Sequence, residues 1–220
     1  MKKSVLMLFV AAALSTACKK SVEAGDAQDV KDASAEAVTY TVDTAGSVIE
    51  WIGSKPIGKH NGNLKISSGS FAVKDGAIEG GNFILDMTSI NVLDLKPGDG
   101  KEDLEGHLKG DTAETPEDAD HFFNVRKYPE GKFEITGTKA VDGGKTEVQG
   151  NLTLKGISKS VSFPATISVT DTDIVMISDT FVIDRTQWKV NYASKSVFKD
   201  LSDKFVDDEV SIKITVKAKK

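Results

Sequence analysis

Three histidines, one cysteine and several acidic pairs are the groups with which this 220-residue chain could do chemistry. His60, His107 and His121 are numerous enough for a metal triad, but their spacing matches no compact ligand motif such as HExxH. His107 falls on the apolar stripe of a short helical pattern and His121 stands beside Phe122. Capping and core-edge roles are the common ones for a histidine so placed. No serine sits in a GxSxG elbow, and neither a P-loop nor a dinucleotide fingerprint is present. Glu102-Asp103 and Asp207-Asp208 are sequence neighbours and read as solvated charge. No reaction signature emerges, and the metal residues expected are none. What remains is Cys18 and a series of apolar strand faces.

Cys18 is the only cysteine, and it follows MKKSVLMLFVAAALSTA. Lys2 and Lys3 make a basic start, Val5 to Leu14 an apolar segment, and Ser15 to Ala17 a small-residue cleavage zone, so residues 1–17 read as a signal peptide. LSTAC resembles a bacterial lipobox, with Ser15 where Leu is more usual. In that motif the cysteine is acylated and becomes the new amino terminus. The resemblance implies an exported protein, lipid-anchored at Cys18 in a bacterial envelope membrane. Lys19 rather than Asp after the cysteine points to the outer membrane or periplasmic face. Stable anchoring needs more than one acyl chain, because each buried methylene contributes only about 0.8 kcal/mol. Without a second cysteine the mature domain depends on its core rather than on a disulfide.

Loss of residues 1–17 removes two lysines and no acid, so the formal charge goes from −5 to −7. Such a chain has no general electrostatic attraction for nucleic acid or for anionic lipid heads, and both are set aside as partners. Residues 18–37, rich in Ala, Asp, Glu and Ser, read as the lipidated amino terminus and a flexible tether. The folded domain is expected over 38–220.

Within that domain, alternation of apolar and polar residues predicts strands. The first is Val38–Val42, followed by Ser47–Gly53, an irregular Lys55–Asn63, then Leu64–Val73 with a bulge or bend at Gly69. Ala77–Met87 returns, with Ser89–Leu93 extending it past a kink. GKEDLEGHLKG predicts a short helix, and Thr115-Pro116 caps a second. Lys132–Val141 leads to the central hairpin, residues 147–169, whose two halves each present one apolar face across a Gly-containing turn at KGISK. Thr172–Arg185 reads as one strand, Lys195–Phe205 as an amphipathic helix, and Val210–Val216 as the closing strand. The class is all-β with short helical insertions. About eight antiparallel strands can close into a barrel or stack as a sandwich, and periodicity alone does not separate the two.

GNLTLKGISKSVSF resembles the signature hairpin of the YceI-like family, the secreted polyisoprenoid-binding proteins. YTVDTAGSVIEW, HFFNVRKYPEGKFEITG, FVIDRTQWKV and DDEVSIKITVKA resemble other parts of that family in the same order. The resemblance implies an extended, lipocalin-like antiparallel barrel whose lumen holds a long isoprenoid or similar lipid, without catalysis. Phe122, Phe123, Phe133, Phe163, Trp188 and Tyr192 are the aromatics expected near that lumen, with core packing as the competing role. Arg185 is either a head-group contact at the mouth or half of a structural ion pair. The competing functions are a metal-dependent periplasmic enzyme and a scaffold with a filled barrel. Oligomeric state is not legible in the sequence.

Overall fold

The computed structural model of the chain describes residues 24–220, so residues 1–17 and Cys18 lie outside the described part. Eleven strands form one antiparallel sheet. They are β1 (Gly25–Asp26), β2 (Val38–Val42), β3 (Val48–Ser54), β4 (Lys59–Lys74), β5 (Ala77–Val92), β6 (Glu130–Val141), β7 (Lys145–Leu154), β8 (Ile157–Val169), β9 (Asp173–Ser178), β10 (Phe181–Asp184) and β11 (Glu209–Lys219). Helices α1 (Lys101–Lys109) and α2 (Pro116–Ala119) interrupt them between β5 and β6.

The pairings run full circle. From β4 the order is β5, β6, β7, β8. β8 pairs β9, and β11 pairs both β9 and β10. β11 pairs both β2 and β3, which each pair β4 again. β2 and β3 share one place in the ring and β9 and β10 another, which leaves eight staves. A sandwich has four free edges and this ring has none over its paired length, so the barrel is the architecture.

Register shifts between Asn63 and Lys65, Ile66 and Ser68, and Ala72 and Val73 bend the two sixteen-residue strands β4 and β5 around the barrel. Gly69 is not the bulge. It stays in register opposite Phe83, and a Cβ there would meet the Asn82 carbonyl inside 3 Å. The expected irregular stretch is shorter than Lys55–Asn63, because β4 begins at Lys59 and pairs β3 from Ser54 back to Ile49. Gly62 permits this. A Cβ on it would overlap the Asn91 carbonyl and the Trp51 ring, both well inside 3 Å. Gly62→Ala is therefore expected to lose about 1–3 kcal/mol by overpacking, read as a lower midpoint in urea with an unchanged slope.

Three further expectations are corrected. The single strand Thr172–Arg185 is broken at Asp179-Thr180, where the Ser178 hydroxyl accepts the Ile214 N–H. Lys195–Phe205 is not helical: it consists of turns and bends, and Ser202 within it takes a left-handed φ of 51°, which an α-helix does not admit. Residues 189–208 instead form a strap joined by a parallel bridge from Ser194 to Val206. Nor does the domain wait until Val38 to begin. Gly25 and Asp26 pair with Ser160 and Lys159 of β8, and the Asn151 side chain exchanges two hydrogen bonds with the Gln28 backbone. The Ser34 N–H donates to Glu79. A segment without apolar periodicity is thus held by backbone and polar contacts to a sheet edge, a signal that alternation does not carry.

One end of the barrel is solid. Tyr40, Phe71, Val73, Ile135, Val148, Ala165, Ile174 and Ala218 are buried there, and the Tyr40 hydroxyl donates to the Thr170 carbonyl at 2.8 Å. The helices and the strap all sit at the other end.

Candidate functional site

The inward faces of the staves enclose a cavity of about 430 Å³ that opens toward the helices and the strap. That volume lies within the ~300–1,000 Å³ usual for small-molecule sites. Its inner part is wholly apolar, with Ile66, Phe83, Phe163, Met176 and Val216 deepest. Ile49, Leu64 and Ile214 form one level across three neighbouring staves, since Ile49 pairs with both of the others. Four phenylalanines make a belt around part of the wall. Phe83 to Phe133 measures 6.4 Å between centroids, Phe133 to Phe163 5.7 Å, and Phe163 stacks on Phe181 at 4.5 Å. Phe71 closes against Phe83 edge-on at 4.9 Å, below the cavity. The lumen is blind.

Polar side chains cluster at the rim: Ser54, Lys55, His60, His107, Arg185 and Tyr192. Hydrogen bonds link the rim segments. The Asp207 N–H donates to the Ser54 carbonyl, Asp94 accepts from the Asn61 N–H and lies 2.8 Å from His60 Nδ1. At the end of β5, the Val92 N–H donates to Glu105 of α1. His107 lies 6.0 Å from the Phe122 ring, and Phe122 stacks on Tyr192 at 4.6 Å. Asn191 and Tyr192 N–H groups donate to the His121 carbonyl, tying the strap to the α2 loop.

Arg185 fastens the strap from inside. Its guanidinium donates to the carbonyls of Asp207, Val190 and Val206. Asp208 stands 3.6 Å away. Burial lowers its pKa, opposed by the charges of Asp208, Asp184 and Asp207. Asp184 is not its hydrogen-bond partner, because that carboxylate caps the following turn by accepting the Thr186 N–H. The fold thus gives Arg185 the structural ion-pair role and a place on the cavity wall together.

Lys155 performs the same service for the signature hairpin. Lys155 and Gly156 form its two-residue turn, both at positive φ (50° and 72°), the geometry such hairpins favour. The buried Lys155 ammonium donates to the carbonyls of Asp120 and Lys189, so the hairpin tip pins both the α2 loop and the strap. The Asn124 amide donates to Asp120 at 2.7 Å and holds that carboxyl below its usual pKa, against a smaller opposing effect of burial. A depressed carboxylate stabilises the fold above its ordinary pKa of ~3.9, and that contribution fades as pH falls through the lower folded value. The protection of amides in residues 110–129, taken relative to intrinsic exchange at the same pH, is expected to fall in that acid window. In Asp120→Asn the acid dependence should be flatter, with faster exchange at neutral pH.

Of the seven expected ligand contacts, Phe122, Phe123, Phe133, Phe163, Arg185 and Tyr192 line the cavity. Trp188 does not. It is fully buried in the wall and its indole N–H donates to the Leu152 carbonyl at 3.0 Å. It packs where β10 has left β8, filling a seam that alternation could not announce. Trp51 of β3 lines the cavity and was not among the expected contacts. Its indole N–H is buried without a partner. The histidines stay apart in role: His60 faces Asp94, His107 Nδ1 lies 2.6 Å from the Asp103 carbonyl, and His121 packs on Phe198 at 5.7 Å. Among the described residues no three His, Cys, Asp or Glu side chains converge on a metal-sized site.

An eight-stave antiparallel barrel with a blind apolar lumen and a polar rim defines a lipocalin-like class of protein. Within it, the family profile described as the YceI-like domain matches residues 40–218, and the chain belongs to that family. Burkholderia cenocepacia BcnA superposes with a TM-score of 0.61 at 21% identity, covering 80% of this chain and 99% of that one. A polyisoprenoid binding domain from Saccharophagus degradans superposes with a TM-score of 0.56 at 13% identity, covering 82% and 97%. At such identities the likeness is one of fold. A UPF0312 protein of Pseudomonas putida (strain W619) is 45% identical over 47 residues, which is 21% of this chain and 24% of that protein. The match thus spans about a quarter of that curated relative.

Proposed function

We propose that this protein binds a polyisoprenoid or similarly long amphiphile, chain inward and head group at the rim, for transport, storage or sequestration, and without catalysis. The observation that carries this is the blind, apolar lumen whose polar groups all lie at the open end. Chain burial alone gives roughly 0.8 kcal/mol per methylene, so affinity needs no elaborate polar site. The Saccharophagus domain's description as polyisoprenoid binding points the same way.

The protein is also proposed to be exported and acylated at Cys18. Gly25 is already paired to the sheet, so seven residue steps, reaching at most about 25 Å, separate the anchor from the barrel. Such an anchor would hold the mouth within a short distance of a lipid supply.

Native mass spectrometry of the mature protein, released gently from membranes, tests the reading. A one-to-one adduct that organic solvent extracts as a long-chain lipid is expected. A stoichiometric metal with no lipid would support the enzyme alternative instead, and a bare protein that takes up no added isoprenoid would favour the scaffold.

A further inference from the structure

Four basic side chains line the cavity: Lys55, His60, His107 and Arg185. No Asp or Glu lines it, although acids outnumber Lys and Arg by 33 to 28 in the chain. The nearby acids stand in an outer ring, engaged by rim groups and backbone: Asp94 by His60 and the Asn61 N–H, Glu105 by the Val92 N–H, and Asp208 by Arg185 at 3.6 Å, while Asp207 meets Arg185 through its carbonyl. Asp103 contributes its carbonyl to His107, not its carboxylate.

The basic groups also share one neighbourhood. Lys55 is the first residue of the β3–β4 turn, and His60 lies across the same hairpin, paired with Gly53. Ser54, next to Lys55, accepts the N–H of Asp207, whose own carbonyl accepts from Arg185. Arg185 spends three donors on carbonyls and retains others, since a guanidinium carries five. The hydroxyls of Ser54 and Tyr192 add neutral donors.

We infer that the rim selects amphiphiles with an acidic head group, such as a phosphate, sulfate or carboxylate, over neutral ones bearing the same chain. This deepens the proposed function and rests on it. Donors and positive charge gathered at the mouth of a low-dielectric lumen favour an anion, because charge-assisted hydrogen bonds are about twice as strong as neutral ones. The net negative charge of the protein opposes this only at long range, where salt screens it within about 8 Å.

The test pairs geranylgeranyl phosphate with geranylgeraniol, equal in chain and different in head group, titrated into the detergent-free domain at pH 7 in 0.15 M salt. The phosphate is expected to bind at least tenfold more tightly. In Lys55→Ala and His60→Gln, each checked for an unchanged denaturation midpoint, that ratio should fall to about threefold or less. A ratio within twofold of one in the unaltered protein overturns the inference and leaves the lumen reading intact. So does a large ratio untouched by either substitution. If neither compound binds, the lumen reading itself fails, and the selectivity with it.

Discussion

Arg185→Met should cost the protein about 3–5 kcal/mol, the range seen when one partner of a buried, hydrogen-bonded charge is removed. The guanidinium is only 8% exposed, and its loss strands three carbonyls, those of Val190, Val206 and Asp207. It also leaves Asp208, whose Oδ1 is buried without a hydrogen bond, facing no positive charge. The damage is directional. Val190 and Val206 stand at the two ends of the strap, so the strap should loosen before the ring of strands does. Urea unfolding followed by circular dichroism, with hydrogen exchange across 189–208, measures both effects. Arg185→Lys should recover only part of the loss, because one compact ammonium does not span three divergent carbonyls. A loss below about 1 kcal/mol would mean that the strap is held by something other than this residue.

Ile214→Trp should abolish chain binding while the barrel stays folded. Ile214 shares its level with Ile49 and Leu64 and faces open space, so a larger ring has somewhere to go. That distinguishes it from the tightly packed floor, where Phe71 and Val148 have no exposure at all. A tryptophan at that level shortens the usable lumen. Excluding even one five-carbon isoprene unit forfeits about 4 kcal/mol at ~0.8 kcal/mol per methylene, or roughly a thousandfold in affinity. Isothermal titration with a long isoprenoid alcohol checks the binding, and an unchanged far-ultraviolet spectrum checks the fold. Retained affinity would place the chain elsewhere.

Much of the barrel was legible because a strand with one wet and one dry face writes its period into the sequence. The 147–169 hairpin and the closing strand illustrate this: Val210, Ile212, Ile214 and Val216 all line the cavity. Helices α1 and α2 were legible from the spacing of Leu104, His107 and Leu108 and from the Thr115-Pro116 cap, and Thr115 does accept the Asp118 N–H. The failures share a physical cause. Lys195–Phe205 has helical spacing, but Arg185, distant in sequence, pulls the carbonyls at its flanks inward, and Val197 and Phe198 end exposed. Gly25–Asp26 joins the sheet through backbone alone, which composition cannot report. For the site, strand parity bears only on Phe133 and Phe163, whereas Phe122, Phe123 and Tyr192 reach the cavity from loops. Trp188 went to the wall because it fills a gap created by the departure of one strand from another, a tertiary fact with no local trace.

The two tryptophans offer the most direct test of the lumen as the seat of the ligand. Trp51 lines the cavity and Trp188 is sealed in the wall. Titration with a chain-brominated long amphiphile should quench part of the intrinsic fluorescence saturably, with one equivalent bound, and Trp51→Phe should remove most of that saturable part. Absence of saturable quenching in the unaltered protein, or full quenching that persists in Trp51→Phe, would show that the chain does not enter the barrel.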